Sequence, residues 1–588
     1  MPFFSYASAP LPLKPVRIVG TRNGTFSAQV VMGSDTDIVK PQVKMSDLKL
    51  TGGEGMIPAD GIRIRYPLPT GGQGGIDFRG VYGAKRFDAM AETAPEKVAV
   101  AAKRTRKGHT GPVAVPGAVQ PVWITVKVPT DAAPGAYAGK LTLSAEGVGP
   151  VEVPVKLSVA DWVMTDVKKF ASHVGIINSP ESEAMYYKKE MWSEEHWKLV
   201  EHSMKIMGEA GTSCLFIPMV ARHHFGKYSM VRWVKKDDGT FEYDFTLFDK
   251  YVDLAVEHLG TLQVVCLYVW EPTRAAGSRH NRKKENVEKQ TAPVNTFDPK
   301  TGEVGEMPSP FYIAPEAADF WKPVLTACRE RLLKKGIAEK ALMVGMISDR
   351  HPIQGEVETF KKAAPWATWI KQAHGKLTSI HGVKVGHLAF VWGTKGLKDP
   401  SEARGKGWKK DFVYTVFPRA GSCRTMRAGN LMNDHWINQD YLVAAGYRGL
   451  GRIGADFWPV VPGQRNHYGG ATLAGAYAGW GQTTISESVL DLLWPGPEGA
   501  IWTLRLETYR QGVQEAEARI FIEKALDNQA MKAKLGEELA KRAQDLLDER
   551  ARRMLTYTPI AMWYPGSPWE DSSEKLYAVA AEVAAALK

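Results

Sequence analysis

The sequence has little cysteine and no long apolar run. Four cysteines occur among 588 residues, far apart and without CxxC spacing, which argues against a disulfide framework or a cysteine-based metal site. We expect them to be small buried apolar side chains. No stretch of eighteen apolar residues is present, so the sequence predicts no membrane-spanning helix. Long basic runs are also missing, which argues against a nucleic-acid-binding tail.

Hydrophobic and aromatic residues are plentiful. They make up 44% and 10% of the chain and include eighteen tryptophans, which predicts a globular protein of three or four domains. The net charge of +11 is spread along the whole length and favours an anionic partner. We expect most aromatic rings in the core, while those in an open cleft would suit sugar rings. An acidic small molecule or polysaccharide therefore fits better than nucleic acid.

The first part of the chain has the two-residue periodicity of β-strands. In "PVWITVKV", apolar residues alternate with larger or polar ones, and "PTDAAPG" then turns the chain. The segments "YAGKLTLSA" and "VEVPVKLSV" continue the pattern as two further strands. Short strands joined by tight turns predict an N-terminal β-sandwich domain over residues 1–162.

The rest of the chain predicts a multidomain α/β protein. Over residues 163–493, short apolar strands alternate with amphipathic helices, typical of a (β/α)8 TIM-type barrel. In one of these, "SEEHWKLVEHSMKIMGEAG", we expect Ser193 to cap the start of the helix and Gly211 to end it. An open doubly wound sheet is the alternative, but no glycine-rich phosphate loop follows the first strand. Residues 494–588 have helical spacing, and we expect them to form a helical region packed on the barrel.

Polar residues follow the predicted barrel strands, where active sites of such barrels lie. The second strand leads to His223 and His224, the third to Trp270 and Glu271, the fourth to Asp349, and the fifth to Trp392. The candidate catalytic residues are Asp349, Glu271, Asp456 and His351. The candidate substrate-binding residues are Arg350, His223, His224, Trp270, Trp392, Arg419, Trp458, Arg465, His467 and Tyr468.

Each candidate also has a structural interpretation. Asp349 could cap a helix, Glu271 precedes a proline and could begin a turn, and Asp456 with Trp458 could lie at the edge of the core. Adjacent histidines point in different directions, and no third ligand is spaced to help them. We therefore expect no metal and no cofactor. A basic segment of about forty residues after Trp270 exceeds the ~15 residues of ordinary loops and predicts a lid or binding loop.

Four segments of the sequence resemble parts of a known enzyme family. "PVWITVKVPTDAAPGAYAGKLTL" with "VEVPVKLSVADW" resembles the β-sandwich that precedes the barrel in family 123 glycoside hydrolases. "LLWPGPEGAIWTLRLETYRQGVQEAEA" resembles their closing motif, and "AAGYRGLGRIGADFWP" their late barrel strand. The closing motif's Arg-x-Glu and Arg-x-Gly correspond here to Arg505, Glu507, Arg510 and Gly512, followed by acidic residues.

The resemblance implies a mechanism in which the 2-acetamido group of the substrate is the nucleophile. In the family, an Asp-Glu pair after the fourth strand orients that group and protonates the leaving oxygen. Asp349 matches the Asp, but Arg350 replaces the Glu. A guanidinium, with a pKa above ~12, cannot act as a general acid at neutral pH.

Three functional hypotheses follow from this replacement. The first is a glycoside hydrolase of an anionic or N-acetylated glycan, in which Glu271 or Asp456 supplies the acid. The second is a polysaccharide lyase, in which arginines neutralise a uronate and a His or Tyr removes its C5 proton. The third is an inactive glycan-binding barrel. We expect an oligo- or polysaccharide partner, no nucleic acid, and leave the oligomeric state open.

The location of the protein also stays open. The resemblance implies a periplasmic or secreted protein. Residues 1–15, however, lack the basic start and long apolar core of a signal peptide, so a cytoplasmic location is the alternative.

Overall fold

The structure is a computed structural model of the full chain. It describes residues 13–70, 87–100, 117–271, 288–346, 351–373, 377–390, 413–416, 436–444, 446–461, 472–473, 491–560 and 569–588. All structural statements below refer to these residues.

The N-terminal part is made of strands. They are β1 (Val16–Arg22), β2 (Thr25–Ser34), β3 (Ile38–Val39), β4 (Gln42–Met45), β5 (Leu48–Leu50), β6 (Met56–Ile57), β7 (Ile62–Pro67), β8 (Met90–Ala91), β9 (Lys97–Val98), β10 (Ala118–Lys127), β11 (Gly135–Ala145) and β12 (Val148–Val163). One sheet has the order β1-β12-β11-β5-β6, with β4 also on β11, and a second has the order β2-β10-β7-β8. Strands β3 and β9 pair separately.

Two of these strands show how residue pattern and environment combine. In β12 the side chains of Val153, Val155 and Leu157 are buried while their neighbours face solvent, as the alternating pattern predicts. In β10 both faces are buried, since Trp123 and Thr125 are covered as well as Ile124. Strand β10 is therefore a central strand. Other residues also cover the face that an alternating pattern would expose to solvent.

The middle of the chain alternates strands and helices. The strands are β13 (His173–Ile177), β14 (Cys214–Pro218), β15 (Arg232–Lys235), β16 (Phe241–Asp244), β17 (Val264–Tyr268), β18 (Pro293–Phe297), β19 (Val304–Pro308), β20 (Leu342–Gly345), β21 (Thr368–Ala373), β22 (Ser379–Ile380), β23 (Val383–Phe390), β24 (Val413–Val416) and β25 (Gly449–Gly454). The helices are α1 (Pro180–Tyr187), α2 (Glu194–Glu209), α3 (Thr246–His258), α4 (Ala317–Lys334), α5 (Gln354–Ala363) and α6 (Asn438–Ala444).

Eight of these strands form one parallel sheet. Its order is β13-β25-β24-β23-β21-β20-β17-β14. From β14 to β25 each strand of the sheet pairs with the next one along the chain, and the last, β25, pairs with the first, β13. All the pairs along this path are parallel. Beside its two end members, the backbone N–H of Ser213 donates to the carbonyl of Val174 at 3.1 Å. The carboxyl ends of these strands therefore lie at one edge of the sheet.

Strand β21 is an element that the sequence pattern did not predict. Its residues include Lys371 and Gln372, which interrupt the apolar run, although Lys371 is fully buried. Because β21 is the fifth strand of the sheet, β23 is the sixth. Trp392 therefore follows the sixth strand in the chain, and the prediction that it follows the fifth was wrong.

Helix α2 begins and ends where the sequence predicts. The hydroxyl of Ser193 accepts a hydrogen bond from the N–H of His196 at 3.3 Å and caps the helix. The chain turns away at Gly211, whose φ of +87° lies in the left-handed region that glycine adopts without steric cost.

The long segment after Trp270 is partly a sheet. Strands β18 and β19 form a hairpin that joins the hairpin of β15 and β16 in the order β16-β15-β18-β19. This small sheet combines the connections that follow β14 and β17. Residues 293–308 fall in the segment predicted to be a lid or binding loop, but they form strands that pair with a second insertion.

Two short strands and three helices complete the chain. They are β26 (Leu493–Pro495), β27 (Ala500–Trp502), α7 (Leu504–Asp527), α8 (Gln529–Ile560, kinked at Gly536) and α9 (Trp569–Leu587). Helix α9 lies on β1 and β12 of the N-terminal sheet. There Arg17 pairs with Asp571, and with Glu574 at 2.6 Å. The C-terminal helices thus pack on the N-terminal part as well as on the middle of the chain. Three single-turn 3₁₀ helices cover Ala59–Gly61, Val167–Lys169 and Glu339–Ala341.

Helix α7 carries the closing motif and is buried along most of its length. Glu507 pairs with Arg65 of β7, with Arg510 at 2.5 Å and with the hydroxyl of Ser27 at 3.0 Å. Burial alone would raise the pKa of Glu507, but Arg510 and Arg65 outweigh it and lower that pKa. The motif therefore holds α7 against the N-terminal sheet that contains β2 and β7.

Candidate functional site

Three side chains meet at the carboxyl ends of β14 and β17. The Nδ1 atom of His224 lies 2.7 Å from Oε1 of Glu271, and both side chains are buried. The backbone N–H of His224 donates to Oε2 of Glu271 at 3.2 Å, and the hydroxyl of Tyr268 donates to the same oxygen. Glu271 is thus a hydrogen-bond acceptor held by two neighbouring strand exits.

The backbone around Glu271 is fixed from a third direction. Its N–H donates to the hydroxyl of Tyr312 at 3.1 Å, and that hydroxyl donates to the carbonyl of Val269 at 3.2 Å. The Nε2 atom of His224 and the Oε1 atom of Glu271 are both buried without a hydrogen-bond partner among the described residues, so Nδ1 and Oε1 are in close contact at 2.7 Å without hydrogen-bond geometry. A carboxylate beside Nδ1 and an unpaired Nε2 are groups between which a proton can move.

His223, next to His224, has a different environment. Its Nδ1 accepts from the N–H of Phe225 at 3.0 Å, and its Nε2 lies 3.0 Å from the carbonyl of Tyr228. Burial lowers the pKa of His223 to about 4, so the ring is neutral near pH 7. Both ring nitrogens of His223 thus contact backbone groups of its own turn. The backbone N–H of His223 closes this turn by donating to the carbonyl of Gly226.

Asp456 follows β25 and forms a buried acid pair with Glu183 of α1. The two carboxyl groups are near enough to influence each other's titration, and both side chains have no solvent exposure. Burial raises the pKa of Asp456 to about 7 and that of Glu183 well above its usual value. Asp456 also accepts from the N–H of Ser179 at 2.5 Å. These contacts join the ends of β25 and β13.

The two candidate tryptophans in the described region lie in the interior. Trp270 is 1% exposed and packs edge-on against Trp369. Trp458 is also 1% exposed, packs against Tyr186 and Tyr187, and donates its indole N–H to the carbonyl of Leu493. In this structure neither ring presents a face to an open cleft.

The remaining candidates are divided between one exposed residue and several outside the described range. His351 is exposed at the start of the segment before α5. The candidates outside the described residues are Asp349, Arg350, Trp392, Arg419, Arg465, His467 and Tyr468.

Sequence reasoning missed Tyr268, Glu183 and Glu181. Tyr268 is the last residue of a strand read as apolar, and only its position three residues before Glu271 signals a shared site. Glu181 and Glu183 lie in the first turn of α1, where acidic residues are ordinary helix-start signals. Burial raises the pKa of Glu181 to about 7, which no sequence pattern reveals.

Neither a metal cluster nor a membrane-spanning helix is found among the described residues. No group of three or more His, Cys, Asp or Glu side chains there is arranged to hold a metal ion. None of the helices described is long and apolar enough to cross a membrane.

Comparison with known proteins identifies relatives of both parts of the chain. The model of the glycoside hydrolase 123 catalytic domain matches residues 178–520, and that of the glycoside hydrolase 123 N-terminal domain matches residues 10–145. A comparison with curated protein sequences finds no match.

Comparison with solved structures finds a protein with a similar fold. A family 123 glycoside hydrolase from Clostridium perfringens, studied for glycolipid glycan hydrolysis, superposes with a TM-score of 0.65 at 13% identity, covering 98% of this chain and 94% of that chain. At this identity the likeness shows the fold alone. A Bacteroides ovatus family 5 xyloglucanase gives a TM-score of only 0.20 at 10% identity, covering 64% of this chain and 69% of that chain.

Proposed function

Because the chain belongs to glycoside hydrolase family 123, we propose that it hydrolyses a glycosidic bond, with Glu271 and His224 as the proton-transfer pair. The observation that carries this proposal is the 2.7 Å contact between Nδ1 of His224 and Oε1 of Glu271 at adjacent strand exits. The pair takes the place of the general acid that Arg350 cannot provide.

The position of Glu271 makes it the better candidate than Asp456 for the general acid. Strand β17, which leads to Glu271, pairs with β20, and Tyr268 lies opposite Gly345 in their register. Asp349 follows Gly345 by four residues and Glu271 follows Tyr268 by three. Asp456 follows β25, which pairs with β13 and β24 instead, and its carboxyl is engaged with Glu183. We therefore assign Asp456 a structural role beside the site and not a role in proton transfer.

In the proposed reaction Asp349 orients the 2-acetamido group of the substrate as it attacks the anomeric carbon. The Glu271–His224 pair protonates the leaving oxygen, and the same pair then removes a proton from the water that opens the cyclic intermediate. One group thus serves as acid and then as base. The substrate class is an N-acetylated or anionic glycan, and the positive net charge of +11 favours the anionic alternative.

The proposal includes the architecture around the site. The sequential strand order and the Ser213–Val174 hydrogen bond support a closed (β/α)8 barrel. Two N-terminal sheets with one shared core support a β-sandwich. The corresponding domains are residues 1–162, 163–493 and 494–588. Family resemblance favours a periplasmic or secreted protein.

A glycan screen tests the proposed function. Wild-type protein is incubated with N-acetylhexosaminides, anionic polysaccharides and glycolipid glycans, and products are read both as new reducing ends and by ultraviolet absorbance. We expect wild-type protein to form new reducing ends without an increase in absorbance. Asp349→Asn should form none, while the control Asp131→Asn, at an exposed site, should behave as wild type. An absorbing unsaturated product would show a lyase instead, and retention of glycans without any cleavage would show a binding protein.

A further inference from the structure

The turn that carries His224, residues 222–227, is shaped by its own backbone. The N–H of Arg222 donates to the carbonyl of Lys227 at 3.0 Å, and the N–H of His223 donates to the carbonyl of Gly226 at 2.9 Å. Arg222 has a φ of +53°, in the left-handed region that few residues other than glycine adopt. These hydrogen bonds lie within the turn, so they set its shape but not its place relative to Glu271.

The start of helix α1 binds the turn from outside. The N–H of Lys227 donates to Oε2 of Glu181 at 2.5 Å, and the hydroxyl of Ser179 donates to the carbonyl of Phe225 at 3.3 Å. Glu181 is only 7% exposed, and Ser179 is fully buried. Because hydrogen bonds are short and directional, these two contacts fix the backbone on either side of Gly226.

The carboxyl of Glu181 also packs directly against the turn. An added Cβ on Gly226 would lie 2.3 Å from Oε2 of Glu181 and 3.3 Å from its carboxyl carbon. Glu181 therefore fills the space beside Gly226 and accepts from the N–H of the next residue, Lys227. The same carboxyl thus provides both a packing contact and a hydrogen bond.

The contacts of α1 connect the turn to the parallel sheet. The N–H of Ser179, just before α1, donates to Oδ1 of Asp456, which follows β25, at 2.5 Å. On the other side of the turn, the N–H of His224 donates to Oε2 of Glu271, which follows β17, at 3.2 Å. The turn is therefore held between the start of α1 and the residue that follows β17.

We propose that Glu181 is a positioning residue, which holds the turn so that the imidazole of His224 stays beside the carboxylate of Glu271. It acts through the backbone of Gly226 and Lys227 and transfers no proton itself. A misplacement of about 1 Å can lower a rate about a hundredfold, so a contact that places the turn also affects the rate. This inference rests on the proposed function, because it takes His224 and Glu271 as the proton-transfer pair.

The environment of His224 can be measured without turnover. Nitrogen NMR of the full-length protein, labelled at histidine, gives the imidazole signals of His224, which are assigned by their loss in His224→Asn. Glu181→Met keeps a long side chain but has no oxygen for the Lys227 N–H, whereas Glu181→Gln keeps one. We expect the His224 signals to shift in Glu181→Met and to stay near their wild-type positions in Glu181→Gln. Glu195→Met, at an exposed site in the first turn of α2, is the control and should leave them unchanged.

Activity gives a second measurement, which a general loss of stability would not reproduce. Phenyl and dinitrophenyl glycosides of the sugar identified in the screen are compared as substrates. We expect Glu181→Met to lower kcat/KM between ~10- and ~100-fold for the phenyl glycoside, and much less for the dinitrophenyl glycoside, which needs no protonation. In His224→Asn protein the same substitution should have little further effect, because residues that act as one unit are not additive.

The outcomes separate the two proposals. Unshifted His224 signals in Glu181→Met, an equal shift in Glu181→Gln, or equal losses for both leaving groups overturn the positioning role. Shifted signals in a protein that cleaves no glycan in the screen leave the positioning role standing and overturn the hydrolase. Thermal unfolding shows whether each variant is folded. If Glu181→Met is unfolded, Glu181→Asp decides, because its carboxyl is one methylene shorter and should shift the same signals.

Discussion

The imidazole of His224 and the carboxylate of Glu271 lie 2.7 Å apart, Nδ1 to Oε1, although 47 residues separate them in the chain. Each follows a different strand of the parallel sheet, and their contact exists only because β14 and β17 pair. The buried pair is the centre of the proposed chemistry.

Substitution of His224 tests whether it takes part in proton transfer. We expect His224→Asn to lower kcat by between ~10² and 10⁴, the range typical of general acid–base groups, and to alter the pH–rate profile. His381→Asn is the control, because His381 is exposed and its φ of +45° suits Asn. A normal rate and profile in His224→Asn, measured on the best substrate of the screen, would remove this residue from the mechanism.

The turn that carries His224 should not tolerate a side chain at Gly226. An added Cβ would lie 2.3 Å from Oε2 of Glu181, so the turn or Glu181 must move. We expect Gly226→Ala to lower kcat/KM at least tenfold. Gly61→Ala, where no atom lies within 4 Å, is the control, and equal activity of the two variants would show that the turn does not position the pair.

The interior ion network of helix α7 should matter for stability rather than chemistry. Glu507→Gln leaves Arg65 and Arg510 buried without their carboxylate, so we expect a loss of about 3–5 kcal/mol in the free energy of unfolding. Glu92→Gln breaks an exposed pair with Arg63, which is worth only about 0–1 kcal/mol. Denaturant unfolding compares the two, and similar losses would contradict the assignment.

The Glu183–Asp456 pair predicts a pH dependence of stability. Its carboxyls have raised pKa values in the folded protein, so between pH ~4 and about 7 the folded state holds more protons than the unfolded state. The free energy of unfolding should then fall as pH rises, by up to ~1.4 kcal/mol per pH unit for each proton.

Removing one carboxyl of that pair should make the slope shallower. We expect this in Asp456→Asn and not in Asp131→Asn, whose side chain is exposed. Unfolding measured at pH 4.5, 6 and 7.5 gives the slopes. An unchanged slope in Asp456→Asn would mean that the pair does not hold its proton in the folded protein.

The sequence was most informative where local chemistry decides the structure. The cap at Ser193 and the stop at Gly211 depend on neighbouring residues only, and both are confirmed. The apolar run before Trp270 correctly predicted β17. Family membership is also confirmed by the matched domains.

The features that the sequence did not reveal depend on distant segments. Lys371 is polar yet buried within β21, so it interrupts the apolar run by which the strand could have been predicted. Trp270 looks like a sugar platform from its place after a strand, but Trp369, almost a hundred residues later, packs against its ring. The proposed role of Glu271 in proton transfer likewise depends on its contacts with His224 and Tyr268. No local sequence pattern shows which residues cover the end of a strand.

The most direct test of the account compares leaving groups in Glu271→Gln. Aryl glycosides of the sugar identified in the screen, with phenyl and dinitrophenyl leaving groups, are used to measure kcat/KM against wild type. If Glu271 belongs to the acid, the phenyl glycoside should lose at least a hundredfold while the dinitrophenyl glycoside, which needs no protonation, loses much less. Equal losses for both leaving groups, or no loss for either, would contradict it.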